Sequence, residues 1–184
     1  MRVIAGSARS LPLKTPEGME TRPTTDRIKE TLFNILNPYI QGAVFLDCFS
    51  GSGGIGIESL SRGAKKAYFF ENNKKALECI KSNLEFTKFD KVATVISQDI
   101  LAGLWQVSDI ADIIFMDPPY ESGLDKKVLE LLANPDFKPI INEDTIIIVE
   151  AKLDANFSFV EELGFEVTRE KCYKTNKHIF LQKK

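Results

Sequence analysis

From residue 43 onward, short apolar runs alternate with stretches of helical periodicity. Segments 43–48, 66–70, 92–97, 112–116 and 145–149 are strand-length and rich in Val, Ile, Phe and Ala, without a polar alternate face. Segments 54–62, 74–88, 124–133 and 156–163 carry apolar residues at helical spacing, and a short turn segment is expected near 101–105. Strands that are apolar on both sides and separated by helices predict a parallel sheet covered on both faces. Two last strands, 165–170 and 178–182, are joined by too few residues for a crossover, so they must run antiparallel. Upstream, 2–5 and 11–14 suggest a short hairpin around Gly6-Ser7-Ala8. A polar segment containing Pro23 offers Thr24 or Thr25 as N-cap of a helix from Asp26 to about Leu36. Ile28, Leu32, Ile35 and Leu36 share one face of that helix, and Pro38 is expected to end it.

The expected fold is therefore α/β: a mostly parallel, Rossmann-like sheet of seven strands with an antiparallel last strand, plus an N-terminal hairpin and helix. The 184 residues suit one domain, 1–184, with 1–40 as arm and helix and 41–184 as core. In such a sheet ligands bind outside the carboxyl ends of the strands. The positions to inspect are thus Asp47 to Gly56, Glu71, Asp99, Asp117 to Tyr120, Glu150 and the 171–177 connection.

Composition removes several chemistries. A single histidine, His178, leaves no material for a Ser-His-Asp or multi-His site, and it reads as a surface strand residue. Three scattered cysteines (Cys48, Cys79, Cys172) fit neither a disulfide framework nor a zinc knuckle, and they read as reduced and structural. No metal is expected. No apolar run reaches the roughly 20 residues of a membrane helix, and the start, Met-Arg-Val-Ile-Ala-Gly, lacks an apolar signal region, so a cytoplasmic, membrane-free protein is expected. Net charge is −2 but uneven. Residues 1–29 hold six Lys/Arg against three Asp/Glu, and residues 169–184 hold six against one, flanking an acidic body. Brought together, such termini would form a patch for a phosphate backbone.

Two motifs carry chemistry. Gly51-Ser52-Gly53-Gly54-Ile55-Gly56 leads from a strand into a helix, and Glu71 follows Gly51 by 20 residues, as a ribose-binding acid would. That pattern serves NAD or S-adenosylmethionine. Asp47 favours the second, because an acid there would repel a pyrophosphate but suits an ammonium. Asp99 after the third strand could accept from an adenine amino group. The second motif is Asp117-Pro118-Pro119-Tyr120 at the exit of an apolar strand. Consecutive prolines hold the backbone extended with carbonyls turned outward. An exocyclic base amine is a poor nucleophile because its lone pair is delocalised. Acceptance of its N–H groups by the Asp117 carboxylate and the Pro118 carbonyl would aim that lone pair at a methyl donor, while Tyr120 could stack on an extruded base.

Tetrapeptide and glycine loop together resemble class I amino methyltransferases acting on adenine N6, cytosine N4 or guanine N2. Arg2-Val3-Ile4-Ala5-Gly6, Leu11-Pro12-Leu13, Thr21-Arg22-Pro23-Thr24-Thr25-Asp26-Arg27-Ile28-Lys29-Glu30, Leu32-Phe33-Asn34-Ile35-Leu36 and Ser61-Arg62-Gly63-Ala64 are similar to the bacterial RsmD family across essentially the whole chain. The resemblance implies methylation of guanine N2 in 16S ribosomal RNA, of the guanine-966 type, within an assembling small subunit and by a monomer. It implies S-adenosylmethionine held by Asp47, Phe49, Gly51, Gly53, Gly56, Glu71, Asn72, Asp99 and Ile100, and catalysis by Asp117, Pro118, Pro119 and Tyr120. RNA contacts are expected from Arg9, Arg22, Arg27, Tyr173 and Lys174. The alternatives are an amino methyltransferase on another RNA or DNA base, an NAD(P)-linked oxidoreductase, or a non-catalytic RNA-binding assembly factor.

Overall fold

A computed structural model describes residues 1–16 and 25–184. Seven strands form one sheet: β1 (Val44–Asp47), β2 (Lys66–Phe70), β3 (Ala93–Ile96), β4 (Ile113–Met116), β5 (Ile146–Lys152), β6 (Phe165–Cys172) and β7 (Asn176–Lys183). Their order is β3-β2-β1-β4-β5-β7-β6. The first five strands pair in parallel, and β7 inserts antiparallel between β5 and β6. The chain direction reverses across the sheet between β1 and β4, where an open α/β sheet makes its crevice.

Alternate strand residues enter opposite cores, as the pleat requires. Val44, Leu46, Ile114 and Met116 join Val128 and Leu129 of α5 (Leu124–Ala133) on one face. Phe45, Ile113 and Phe115 join Leu32, Phe33 and Leu36 of α1 (Asp26–Ile40) on the other, with Ile57 of α2 (Gly54–Ser61) and Ile80 of α3 (Lys74–Thr87). Each of these large apolar side chains contributes roughly 1.5–3 kcal/mol by leaving water, and the double layer fixes which strand residues reach the ends of the sheet.

Three elements differ from the sequence expectation. Helix α1 continues through Pro38 to Ile40. Proline removes one ladder donor, but burial of Ile40 in the second core offsets that loss. The 156–163 helix is replaced by turns around a short 3₁₀ stretch, Ser158–Val160. The Asn156 side chain accepts the Ser158 N–H at 2.8 Å, and Val160, Leu163 and Gly164 each donate to the third residue back. The local side-chain bond competes with the helical ladder there. The N-terminal hairpin has a single bridge, Arg2 to Pro12, closed by bonds such as Val3 N–H to the Leu11 carbonyl at 3.0 Å. Of the two cap candidates, Thr25 accepts the Ile28 N–H, at 3.3 Å, while Thr24 lies outside the described residues. The turn segment near 101–105 is the short helix α4 (Ile100–Gly103) followed by one 3₁₀ turn.

The hairpin is clasped to the core by Glu58, which is fully buried on α2. It accepts the N–H groups of Ile4 (2.8 Å) and Ala5 (3.0 Å) and Arg62 Nε (2.8 Å), and it lies 3.4 Å from Lys29 Nζ. Lys29, 1% exposed, donates in turn to the Arg2 carbonyl at 2.5 Å. Removing one partner of such a network strands a buried charge. Glu58→Ala is therefore expected to lower stability by about 3–5 kcal/mol, read as a fall in the urea midpoint, with loss of amide-exchange protection at Ile4 and Ala5.

Candidate active site

Asp47, the last residue of β1, is 1% exposed and accepts the Gly56 N–H at 2.9 Å. The carboxylate thus ties the end of the glycine loop to the sheet. Gly51 (φ 53°) has open space where a Cβ would stand, and its N–H is taken by Glu71 at 3.0 Å. The other Glu71 oxygen accepts the Asn72 and Asn73 N–H groups, each at 2.8 Å. Gly56 meets the opposite constraint: a Cβ there would stand 2.3 Å from the Phe69 ring. The loop is therefore stretched between two acids, with one glycine facing open space and another pressed on the sheet. Gly53 caps α2, half-buried Phe49 lies between Asp47 and the glycines, and Asn72 is exposed. Asp99 caps α4 by accepting the Ala102 N–H at 3.1 Å, followed by buried Ile100.

Beyond β4 the chain delivers Asp117 to Tyr120. Asp117 is half-buried and Pro118 buried, whereas Pro119 and Tyr120 are exposed. The Pro119 carbonyl is taken by Ser122, by N–H at 2.9 Å and by hydroxyl at 2.6 Å. Pro118 and Tyr120 line a pocket of about 310 Å³ together with Asp125, Glu150, Ala151, Lys152, Asp154 and Ala155. Lys152 Nζ lies 6.0 Å from the centre of the Tyr120 ring and is paired with Glu121 at 2.8 Å.

Desolvation governs the carboxyls. Burial pushes Asp117 up to about 8, and the charges of Glu150 and then Asp47 add to the rise. Burial also pushes Asp47 up to about 7, opposed by the Gly56 N–H and reinforced by Glu71.

Glu150 itself is held by partners that sequence reasoning missed. His178 is not a surface residue: it is fully buried because β7 is an interior strand. The antiparallel register sets His178 directly opposite Glu150, and His178 Nε2 stands 3.1 Å from the Glu150 carboxylate. The Tyr173 hydroxyl is 3.2 Å from His178 Nδ1, and Asn176 Nδ2 donates to Glu150 at 2.5 Å. A tyrosine donating to Nδ1 sets the tautomer in which Nε2–H donates to Glu150. The only signal in the sequence was an acid ending one strand and a lone histidine in the last. Their pairing needs the register, which no local pattern supplies.

A protein-family model described as conserved hypothetical protein 95 matches residues 1–182. Ribosomal RNA small subunit methyltransferase D of Haemophilus influenzae is 40% identical over 159 residues, covering 84% of this chain and 80% of that protein. The chain belongs to the RsmD family. YlbH of Bacillus subtilis is 38% identical to this RsmD-family chain over 177 residues, 94% of each. The solved structure of YhhF from Escherichia coli superposes with a TM-score of 0.84 at 32% identity, covering 100% of this chain and 98% of that one. The RsmD-family chain has the Rossmann-like fold of class I methyltransferases.

The expected RNA-facing residues are spread more widely. Arg9, Arg27 and Lys174 are exposed, Tyr173 is half-buried beside His178, and Arg22 lies outside the described residues. Part of the terminal positive charge is neutralised internally: Arg2 pairs with Asp26, Lys29 with Glu58 and Lys177 with Glu170. Cys48 is buried and Cys172 exposed, so the reading of all three cysteines as structural does not extend to Cys172. Among the described residues no helix is long and apolar enough to cross a membrane.

The raised carboxyls have a consequence for stability. Asp47 and Asp117 keep a proton in the fold at pH values where the unfolded chain, at the ordinary 3.8, has released it. Their contribution is fully present below that value and is lost as pH rises through about 7 and about 8. Without ligand, unfolding free energy should fall between pH 5 and 9, approaching about 1.4 kcal/mol per pH unit per carboxyl. Asp117→Asn should flatten the curve, as urea titrations across that range would show.

Proposed function

We propose that this protein transfers a methyl group from S-adenosylmethionine to the exocyclic N2 amine of a guanine in 16S ribosomal RNA, acting on the assembling small subunit. The observation that supports the reaction is the exit of β4 into Asp117, on which the charges of Glu150 and Asp47 act, and into Pro118, which lines a pocket of about 310 Å³ with Tyr120. The choice of small-subunit RNA is supported by the relatives, which are named for it.

The residues fit the cofactor. Open space at Gly51 leaves room for a ligand against the backbone, Glu71 is fixed just after β2, where it would accept from a ribose, and Asp99 follows β3, where it would accept from an adenine amino group. Phe49, Gly53, Gly56, Asn72 and Ile100 complete the cradle. S-adenosylmethionine supplies an electrophilic methyl on a sulfonium, and its net positive charge suits this acidic edge. That charge also lowers the cost of ionising Asp47 and Asp117.

The chain's own groups then act on the amine. Tyr120 stacks on the extruded base. Asp117 and the Pro118 carbonyl accept N2–H bonds and hold the nitrogen lone pair toward the methyl. Bound in this cradle, S-adenosylmethionine would supply the methyl to that nitrogen, the electron pair of its C–S bond leaving with sulfur. The nitrogen becomes positive and releases one proton, for which the nearby Asp117 carboxylate is the first acceptor. Arg9, Arg22, Arg27, Tyr173 and Lys174 are assigned to the RNA around the base.

Small-subunit RNA from cells lacking the protein should lose one N2-methylguanosine, restored by the wild-type chain and not by Asp117→Ala. In vitro that variant should fall at least roughly 100-fold in transfer while calorimetry shows cofactor affinity within a few fold. An unchanged nucleoside map, or normal turnover by the variant, defeats the reading.

A further inference from the structure

Resting on the guanine reading, we infer that Glu150 is the specificity-determining residue of the acceptor pocket, accepting the guanine N1–H and thereby rejecting adenine and cytosine. The three bases that carry an exocyclic amine differ in what stands beside it. Guanine N2 is flanked by the ring donor N1–H. Adenine N6 is flanked by the ring acceptor N1, and cytosine N4 by the ring acceptor N3. A carboxylate beside the methylation point attracts the first and repels the other two.

Glu150 meets each requirement of that role. It lines the pocket with Pro118 and Tyr120, and its charge acts on Asp117, so it stands beside the group that accepts the amine. It is only 8% exposed, so water competes little for it. His178 and Asn176 take one position on each carboxylate oxygen and fix its orientation. Each oxygen retains a lone pair, because an ionised carboxylate offers about four acceptor sites. The Tyr173 hydroxyl on His178 completes a chain that supplies donors to Glu150. The same cluster holds the buried side-chain acceptor without a partner among the described residues, Asn176 Oδ1, so acceptors there outnumber donors. Lys152 stands on the same wall, its ammonium paired with Glu121 at 2.8 Å.

The test replaces the target guanine by 2,6-diaminopurine, which keeps the N2 amine but presents an acceptor at N1. The substrate is small-subunit RNA ligated around a synthetic segment carrying either base at the mapped position. The wild-type protein should use guanine over diaminopurine by about 10- to 100-fold in kcat/KM. Glu150→Gln, whose amide can donate to N1, should lose activity on guanine and gain on diaminopurine, bringing the ratio toward one. Its cofactor affinity should match the wild type, which reports an intact fold. Equal use of the two bases by the wild type, or an unchanged ratio in a folded Glu150→Gln, overturns the inference. Absence of any N2-methylguanosine from the wild type instead overturns the function on which it rests.

Discussion

Three carboxyl groups withdrawn from water at one edge of the sheet constrain everything around them. Asp47, Asp117 and Glu150 end β1, follow β4 and lie near the end of β5, three neighbouring parallel strands. Burial raises the cost of ionising the first two, and neighbouring acids raise it further, Glu71 for Asp47 and Glu150 with Asp47 for Asp117. A fold tolerates such a cluster only if each acid is given donors or a counter-charge. Asp47 receives the Gly56 N–H and Glu150 receives His178 and Asn176. On Asp117 burial and both neighbouring charges act in the same direction, the pattern common at functional sites.

This asymmetry divides the crevice into two halves. Over β1, β2 and β3 the acids serve the backbone: Asp47 and Asp99 each accept one main-chain N–H and Glu71 accepts three, shaping a loop or capping a helix. At the end of β5 the acid faces a pocket and is supported by side chains: Glu150 lines the cavity and takes Asn176 and His178 from β7. A cationic cofactor on the first half and a donor-rich base on the second both relieve the same excess of negative charge. Asp117 lies on the seam between the halves, acted on by the charges of Asp47 from one and Glu150 from the other.

Much of this was legible in the sequence because it was written locally. Apolar strand runs, the glycine spacing, the Asp-Pro-Pro-Tyr exit and the Thr25 cap are each decided within about ten residues, and the strands appear where the runs predict them. The failures share a cause. Pro38 stays helical because tertiary burial of Ile40 overrides a local stop signal, and 156–163 does not become a helix because one Asn side chain competes for the ladder. His178 was misread because its burial depends on β7 being interior, a property of strand order. The buried network of Glu58 with Lys29 and Arg62 was equally hidden, since charged residues on amphipathic helices ordinarily face water.

The antiparallel insertion of β7 gains a functional reason from the Glu150 cluster. A parallel strand beside β5 would arrive at this edge with its carboxyl end, offering only the residues that follow it. An antiparallel strand arrives at its amino end, so its first residues, Asn176 to His178, lie inside the ladder opposite Glu150 to Lys152. Donors held in a ladder are fixed by main-chain bonds on both sides, which a loop could not match. The tight connection from β6 then places Tyr173 within reach of His178. The topology thus gives a buried glutamate, otherwise a liability, two donors and a fixed direction at the pocket wall.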